Sequence, residues 1–182
     1  GCSTGGPATL QTLFSALPAD LSVPIVVAQH MPKMFTKFLA DRLNNETPLH
    51  VVEGEDGMTL EPGMAVIAPG DFHMVVNKTD KLHVSTNQDP AVHSARPALD
   101  VLFESVAATT GGRSMAVVLT GMGRDGEKGA TAIHQAGGRV IIQDEASAVV
   151  WGMPGAVARA GVADKTVALP LLASTILSDI EP

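Results

Sequence analysis

The chain has 182 residues and a single cysteine, with 45% apolar and 17% charged residues. That length suits one globular domain with a sizeable core, and the composition excludes a disordered chain and a disulfide-stapled scaffold. The formal charge is −7, with 12 Lys and Arg against 19 acids and 3% aromatics, so the basic stripe and stacking platform of a nucleic-acid binder are missing.

In chain order, residues 7–17 carry apolar residues at helical spacing, with Leu10, Leu13, Phe14 and Leu17 on one face. Residues 24–29 are a short β-branched run, read as a buried strand, and residues 32–45 as a helix with Pro32 in its first turn. Residues 49–52, 64–68, 73–76 and 82–85 read as strands, with a turn at residues 77–80, so the middle of the chain predicts a β-meander or hairpin. Residues 97–108 predict a helix, 114–119 a strand, 127–135 a helix, 140–143 a strand, 154–159 a short helix and 169–177 a last helix. Strands alternating with helices predict an α/β fold, a doubly wound and mostly parallel sheet covered on both faces. The longest apolar runs fall far short of the roughly 20 residues of a membrane span, and no signal-peptide pattern opens the sequence. We therefore expect a cytoplasmic protein without membrane insertion. The sequence opens inside a Gly-rich turn, which normally follows a strand, so we expect a strand and a further domain upstream of this single domain of residues 1–182.

Parallel sheets carry their sites beyond the carboxyl ends of the strands. Those ends read Gly1-Cys-Ser-Thr-Gly-Gly6, Gln29-His-Met-Pro32, Ala68-Pro-Gly-Asp71, Thr120-Gly-Met-Gly-Arg-Asp-Gly126 and Gln143-Asp-Glu145. The first fits G-x-S-x-G, in which small residues permit a sharp turn that exposes a serine Oγ. Ser3 is thus a candidate nucleophile; the plainer reading is that Ser3 or Thr4 caps the following helix. Cys2 reads better as a small buried side chain than as a nucleophile. His30 ends a strand and is placed to accept a proton from a serine, or else to hydrogen-bond backbone. Asp125 follows a strand and opens a helix, either as its cap or as the acid that orients His30. Asp71 and Asp144 compete for that role. The histidines show no metal-binding spacing, so no metal site is expected. Gly121, Gly123 and Gly126 also fit G-x-G-x-x-G, with Asp144 downstream, which makes a dinucleotide-binding module the rival reading.

Together with Ala68-Pro-Gly-Asp-Phe-His-Met74, Arg96-Pro97, Asp100-Val-Leu-Phe103 and Gly152-Met-Pro154, these stretches, in this order, resemble the catalytic domain of the chemotaxis-receptor methylesterases, the protein-glutamate methylesterases. The resemblance runs from Gly1 to about Pro154. It implies Ser3 as nucleophile, His30 as base, Asp125 as the third triad member, and oxyanion stabilisation by the backbone N–H groups of Thr4 and Met122. It further implies hydrolysis of glutamate γ-methyl esters on a methylated chemoreceptor, deamidation of receptor glutamines, no cofactor, and an upstream receiver domain. One departure is the loop before Arg96-Pro97: Ala95 stands where the family often has His, and His93 lies two residues earlier. Because the protein substrate is expected to be acidic and this chain is acidic too, Lys33 and Lys37, read as sharing one helix face, and Arg124 are expected to rim the cleft.

Overall fold

A computed structural model of the chain describes residues 1–180. The elements run α1 (Gly6–Ser15), β1 (Ile25–Val27), α2 (Phe35–Glu46), β2 (His50–Glu53), β3 (Met64–Ile67), β4 (His73–Lys78), β5 (Leu82–Asn87), α3 (Leu99–Thr110), β6 (Met115–Val118), α4 (Glu127–Gln135), β7 (Arg139–Gln143), α5 (Gly152–Arg159), β8 (Lys165–Val167) and, after a 3-10 turn at Leu169–Leu171, α6 (Leu172–Ile180).

Strands β1, β3 and β2 pair in parallel in that order, and so do β6, β7 and β8. Residues 1–3 join the two halves. On one side Gly1 N donates to Val117 O at 2.7 Å and Leu119 N to Gly1 O at 2.9 Å; on the other Cys2 N donates to Ala28 O at 3.0 Å and His30 N to Cys2 O at 3.1 Å. The result is one parallel sheet in the order β2, β3, β1, residues 1–3, β6, β7, β8. Successive residues of each strand face opposite sides of a sheet. Ala65, Ile67 and Ile141 accordingly pack with Leu10, Phe14, Leu39, Leu43 and Leu172 from α1, α2 and α6. Val66, Val140 and Ile142 pack on the other face with Leu99, Phe103, Ile133 and Met153 from α3, α4 and α5. Each fully buried aliphatic side chain stabilises the fold by about 1.5–3 kcal/mol, so both faces are needed to hold the central strands.

The α/β architecture with helices on both faces is as the sequence predicts. The middle strands divide differently. β3 leaves the expected meander, because Ala65, Val66 and Ile67 are buried on both sides and the strand sits between β1 and β2. Only β4 and β5 form an antiparallel hairpin, with residues 58–60 running beside β5. Helix α2 starts at Phe35 rather than Pro32, because Met34 adopts φ 77 in a turn closed by Phe35 N donating to Pro32 O at 3.2 Å. A Cβ on Gly70 would lie 2.5 Å from Lys33 N, so the loop after β3 presses directly on that turn. The edge strand β8 is too short and too polar to announce itself in the sequence.

Candidate active site

The sheet changes direction at residues 1–3: the chain builds outward to β2 on one side and to β8 on the other. Loops beyond the carboxyl ends of adjacent strands diverge at such a point and leave a crevice. Ser3, His30 and Asp125 all lie there, following residues 1–2, β1 and β6 respectively. Cys2 and Gln29 are bridge partners in parallel register, which makes Ser3 and His30 the next residues on neighbouring strand ends.

Gln29 fixes that adjacency. Its side chain is buried, and its Nε2 donates to Ser3 O at 3.0 Å and to His30 O at 3.0 Å, while Oε1 accepts from Cys2 Sγ at 2.9 Å. Gly6 is what admits it, since a Cβ there would lie 1.9 Å from Gln29 Oε1. Sequence reading passes over Gln29 as the end of a strand; a polar side chain closing an otherwise apolar buried run is the signal that marks it. Cys2 is wholly buried, and burial pushes its thiol up to about 11, which removes it as a nucleophile.

His30 Nε2 meets Asp125 Oδ2 at 2.6 Å. Asp71 and Asp144 are engaged elsewhere. Asp71 Oδ1 pairs with Arg96 at 2.6 Å, and that guanidinium holds its carboxyl below the ordinary carboxylate range. Asp144 accepts from Ser147 N and Oγ within its own turn. Asp125 does not cap its own helix: the N-cap of α4 is Gly126, which has no side chain to cap with. Asp125 instead accepts from Leu99 N at 2.7 Å and Asp100 N at 2.9 Å, the first N–H groups of α3. Burial works against its ionised form, but the hydrogen bonds from His30, Asp100 N–H and Leu99 N–H outweigh it and leave the carboxyl below its usual value.

The turn after Ser3 is equally constrained. Gly5, at φ 83, is the N-cap of α1, so neither Ser3 nor Thr4 caps that helix. Ser3 N donates to Thr120 O at 2.9 Å and Gly6 N to Ser3 O at 2.8 Å, while Thr120 Oγ1 donates to Thr4 O at 2.9 Å. Ser3 O therefore points into the protein, and the N–H of the same planar peptide, that of Thr4, points the opposite way. Gly121 N donates to Val150 O at 2.9 Å, and a Cβ on Gly121 would lie 2.9 Å from Ser3 Cβ. The Gly121–Met122 peptide thus lies directly against the serine. Among the described residues, the N–H groups of Thr4 and Met122 have no hydrogen-bond partner.

The same loop answers the dinucleotide reading. A pyrophosphate would need the N–H groups opening α4, yet Asp100 Oδ1 already accepts from Gly126 N at 2.9 Å and Gly129 N at 2.8 Å. A buried carboxylate occupies that place, and Asp144 is spent on Ser147. His93, Asp100 and Asp125 do bring potential metal-ligating atoms within 4.8 Å of one another. Their carboxylate oxygens, however, accept from backbone N–H groups and imidazoles, which is the chemistry of caps and ion pairs. At the rim, Lys33 lies in the turn before α2 rather than on a helix face shared with Lys37. Lys37 pairs with Asp41 and Arg124 with Glu127, whereas Lys33 Nζ stands 6.0 Å from the Phe72 ring centroid. Met34, Phe35, Phe38 and Met122 are exposed beside these cations. Among the described residues no helix is long and apolar enough to cross a membrane.

A family model described as CheB methylesterase matches residues 1–176. A protein-glutamate methylesterase/protein-glutamine glutaminase from Maricaulis maris is 50% identical over 93% of this chain and 42% of its own length. One of the same name from Trichodesmium erythraeum is 48% identical over 99% of this chain and 51% of its own length. The chain thus spans about half the length of these relatives. The crystal structure of the Thermotoga maritima CheB methylesterase catalytic domain superposes with a TM-score of 0.96 at 40% identity, covering 98% of this chain and 95% of that one.

Proposed function

The chain belongs to the CheB methylesterase family, and from that premise we propose that Ser3, His30 and Asp125 form a catalytic triad hydrolysing glutamate γ-methyl esters on chemotaxis receptors. The observation that carries this reading is the 2.6 Å contact of His30 Nε2 with Asp125 Oδ2 while Ser3 occupies the adjoining strand end. With Nε2 donating to Asp125, Nδ1 is the lone pair that takes the Ser3 proton as Oγ attacks the ester carbonyl. The ionised Asp125 fixes that tautomer and stabilises the imidazolium that follows. The N–H groups of Thr4 and Met122 receive the oxyanion; donors of this kind are worth about 3–4 kcal/mol each. The C–O bond to methoxide breaks as His30 returns the proton, and methanol leaves. Water then attacks the acyl-enzyme by the same route, with His30 as base, and releases the glutamate carboxylate and Ser3.

A glutamine side chain enters the same sequence and releases ammonia, which gives the deamidase activity. Every step uses side chains and backbone of this chain, so no cofactor is needed. The domain acts in the cytoplasm, where receptor helices are presented to it, and a receiver domain precedes it in the full-length protein. At the rim Lys37 and Arg124 are paired with Asp41 and Glu127, so of these three cations Lys33 is the one that meets an approaching acidic receptor segment. The test is methanol release from a peptide carrying a γ-methyl glutamate by the full-length protein. Ser3→Ala is expected to abolish it without moving the unfolding transition, and a serine-directed phosphonate is expected to label Ser3 alone. Undiminished hydrolysis by Ser3→Ala refutes the proposal.

A further inference from the structure

Two helix starts in this fold cap one another. Asp125, which precedes α4, accepts the first N–H groups of α3 through Leu99 and Asp100. Asp100, inside the first turn of α3, returns the arrangement: its Oδ1 accepts Gly126 N at 2.9 Å and Gly129 N at 2.8 Å from α4. Gly126 N–H belongs to the peptide that carries Asp125, so the Asp100 carboxylate holds the backbone of the triad acid while the Asp100 amide holds its side chain. The remaining oxygen, Asp100 Oδ2, meets His93 Nε2 at 2.8 Å. Asp100 is buried, so that oxygen has little access to water. An imidazole stands against each of the two carboxylates: His30 on Asp125 and His93 on Asp100.

His93 is delivered by a tight turn. Val92 N donates to Ala95 O at 3.0 Å and Ala95 N to Val92 O at 2.9 Å, and the two residues between, His93 and Ser94, both have positive φ, at 50 and 60. Neither is a glycine, so the surroundings hold this turn in a left-handed conformation that other sequences rarely adopt.

We propose that His93 and Asp100 are a positioning pair for the triad: His93 holds the Asp100 carboxylate, and Asp100 holds Asp125 against His30. The inference rests on the esterase reading for its effect on turnover, but the hydrogen-bond geometry is independent of it. The test compares His93→Leu with His93→Gln in the full-length protein. Both side chains meet the same backbone strain at φ 50, and only glutamine keeps a donor. His93→Leu is expected to lower kcat on a γ-methyl glutamate peptide about tenfold with KM within about twofold, the scale of one lost hydrogen bond to a buried charged group. It is also expected to displace the low-field proton resonance of the His30–Asp125 hydrogen bond. His93→Gln is expected to restore both largely. Asp100→Asn is expected to lower kcat similarly, and adding His93→Leu to it to cause little further loss, since the two act in series. Equal turnover in His93→Leu and wild type, equal losses in the Leu and Gln variants with an unmoved resonance, or additive losses in the double variant would each overturn the pair. If wild type and Ser3→Ala release no methanol alike, the esterase reading fails instead, and the proton resonance alone decides the positioning role.

Discussion

Replacing Gln29 by leucine removes the clamp between Ser3 and His30 while keeping side-chain bulk. Gln29 is 2% exposed, and its Nε2 serves Ser3 O and His30 O at 3.0 Å each. Ser3 O keeps the bond from Gly6 N at 2.8 Å, whereas His30 O loses its Gln29 donor inside the protein. A fully buried acceptor left without its partner costs about 1–3 kcal/mol; His30 O is part-buried and the Cys2 thiol loses its acceptor as well, so a stability loss of about 1–2 kcal/mol is expected. Against a usual total of about 5–15 kcal/mol the variant still folds. The catalytic effect follows from the peptide that carries Thr4 N–H. Complete loss of one oxyanion donor costs about 10²–10³ in kcat; with Gly6 still holding half of the tether, kcat is expected to fall about tenfold with KM little changed. Urea unfolding and steady-state hydrolysis of a γ-methyl glutamate peptide read the two effects separately. Gln29→Glu sharpens the sign. Its buried carboxylate faces two carbonyl oxygens, so its pKa is raised in the folded state and the folded state binds the extra proton. Its stability deficit relative to wild type is therefore expected to shrink as pH falls. Wild-type kcat in Gln29→Leu, or a deficit in Gln29→Glu that grows on acidification, refutes the clamp.

Asp125→Asn is expected to lower kcat by up to about 10⁴-fold, because an amide cannot fix the same imidazole tautomer. Its lowered carboxyl adds a pH signature: in wild type the carboxylate stabilises the fold above the ordinary Asp value near 3.9, and this is lost as pH falls through the lower folded value. Acid unfolding curves of wild type and Asp125→Asn should accordingly converge below about pH 4. Gly121→Ala places a Cβ 2.3 Å from Met153 Sδ and 2.9 Å from Ser3 Cβ, and should abolish most hydrolysis, whereas Gly123→Ala meets nothing within 4 Å and should chiefly strain its turn. Iodoacetamide at pH 8 should leave native Cys2 unmodified and hydrolysis intact, since its thiol is pushed up to about 11 and is fully buried; rapid alkylation, read by mass spectrometry, contradicts that burial.

Much of this site is readable in the sequence because strand ends are readable. His30 and Asp125 each follow a short apolar run, Ser3 lies in a Gly-rich turn that fits G-x-S-x-G, and a parallel sheet sends such ends to one edge. The choice of Asp125 over Asp71 and Asp144 is not local information: it depends on which loop crosses to His30, and before coordinates only family resemblance separates them. Gln29 and Asp100 are hidden for a related reason. One reads as the last residue of a strand and the other as an acid in the first turn of a helix, a placement favourable on any exposed helix. Their partners lie on other elements, at Ser3 and at Gly126, and no periodicity carries that information. The start of α2 escapes because Pro32 suits a first turn, while the contact of Gly70 with Lys33 decides the backbone there.

Along the sheet edge the chain order Ser3, His30, Asp125 is rearranged to His30, Ser3, Asp125, because residues 1–3 lie between β1 and β6. Ser3 occupies the central strand end, His30 the end on one side, and Asp125 the loop on the other. Register therefore governs the geometry of this site more than any single loop does. A slip of one residue in the pairing of Cys2 with Gln29 would turn Ser3 to the opposite face of the sheet, since side chains alternate along a strand. The groups that resist such a slip are the Gln29 amide across one seam and the close approach of Ser3 to Gly121 across the other. Asp125 is held separately, by the exchange of caps between α3 and α4. Substitutions at these seams should consequently change turnover more than substrate affinity, because they move reacting groups relative to each other and leave the rim that meets the substrate in place.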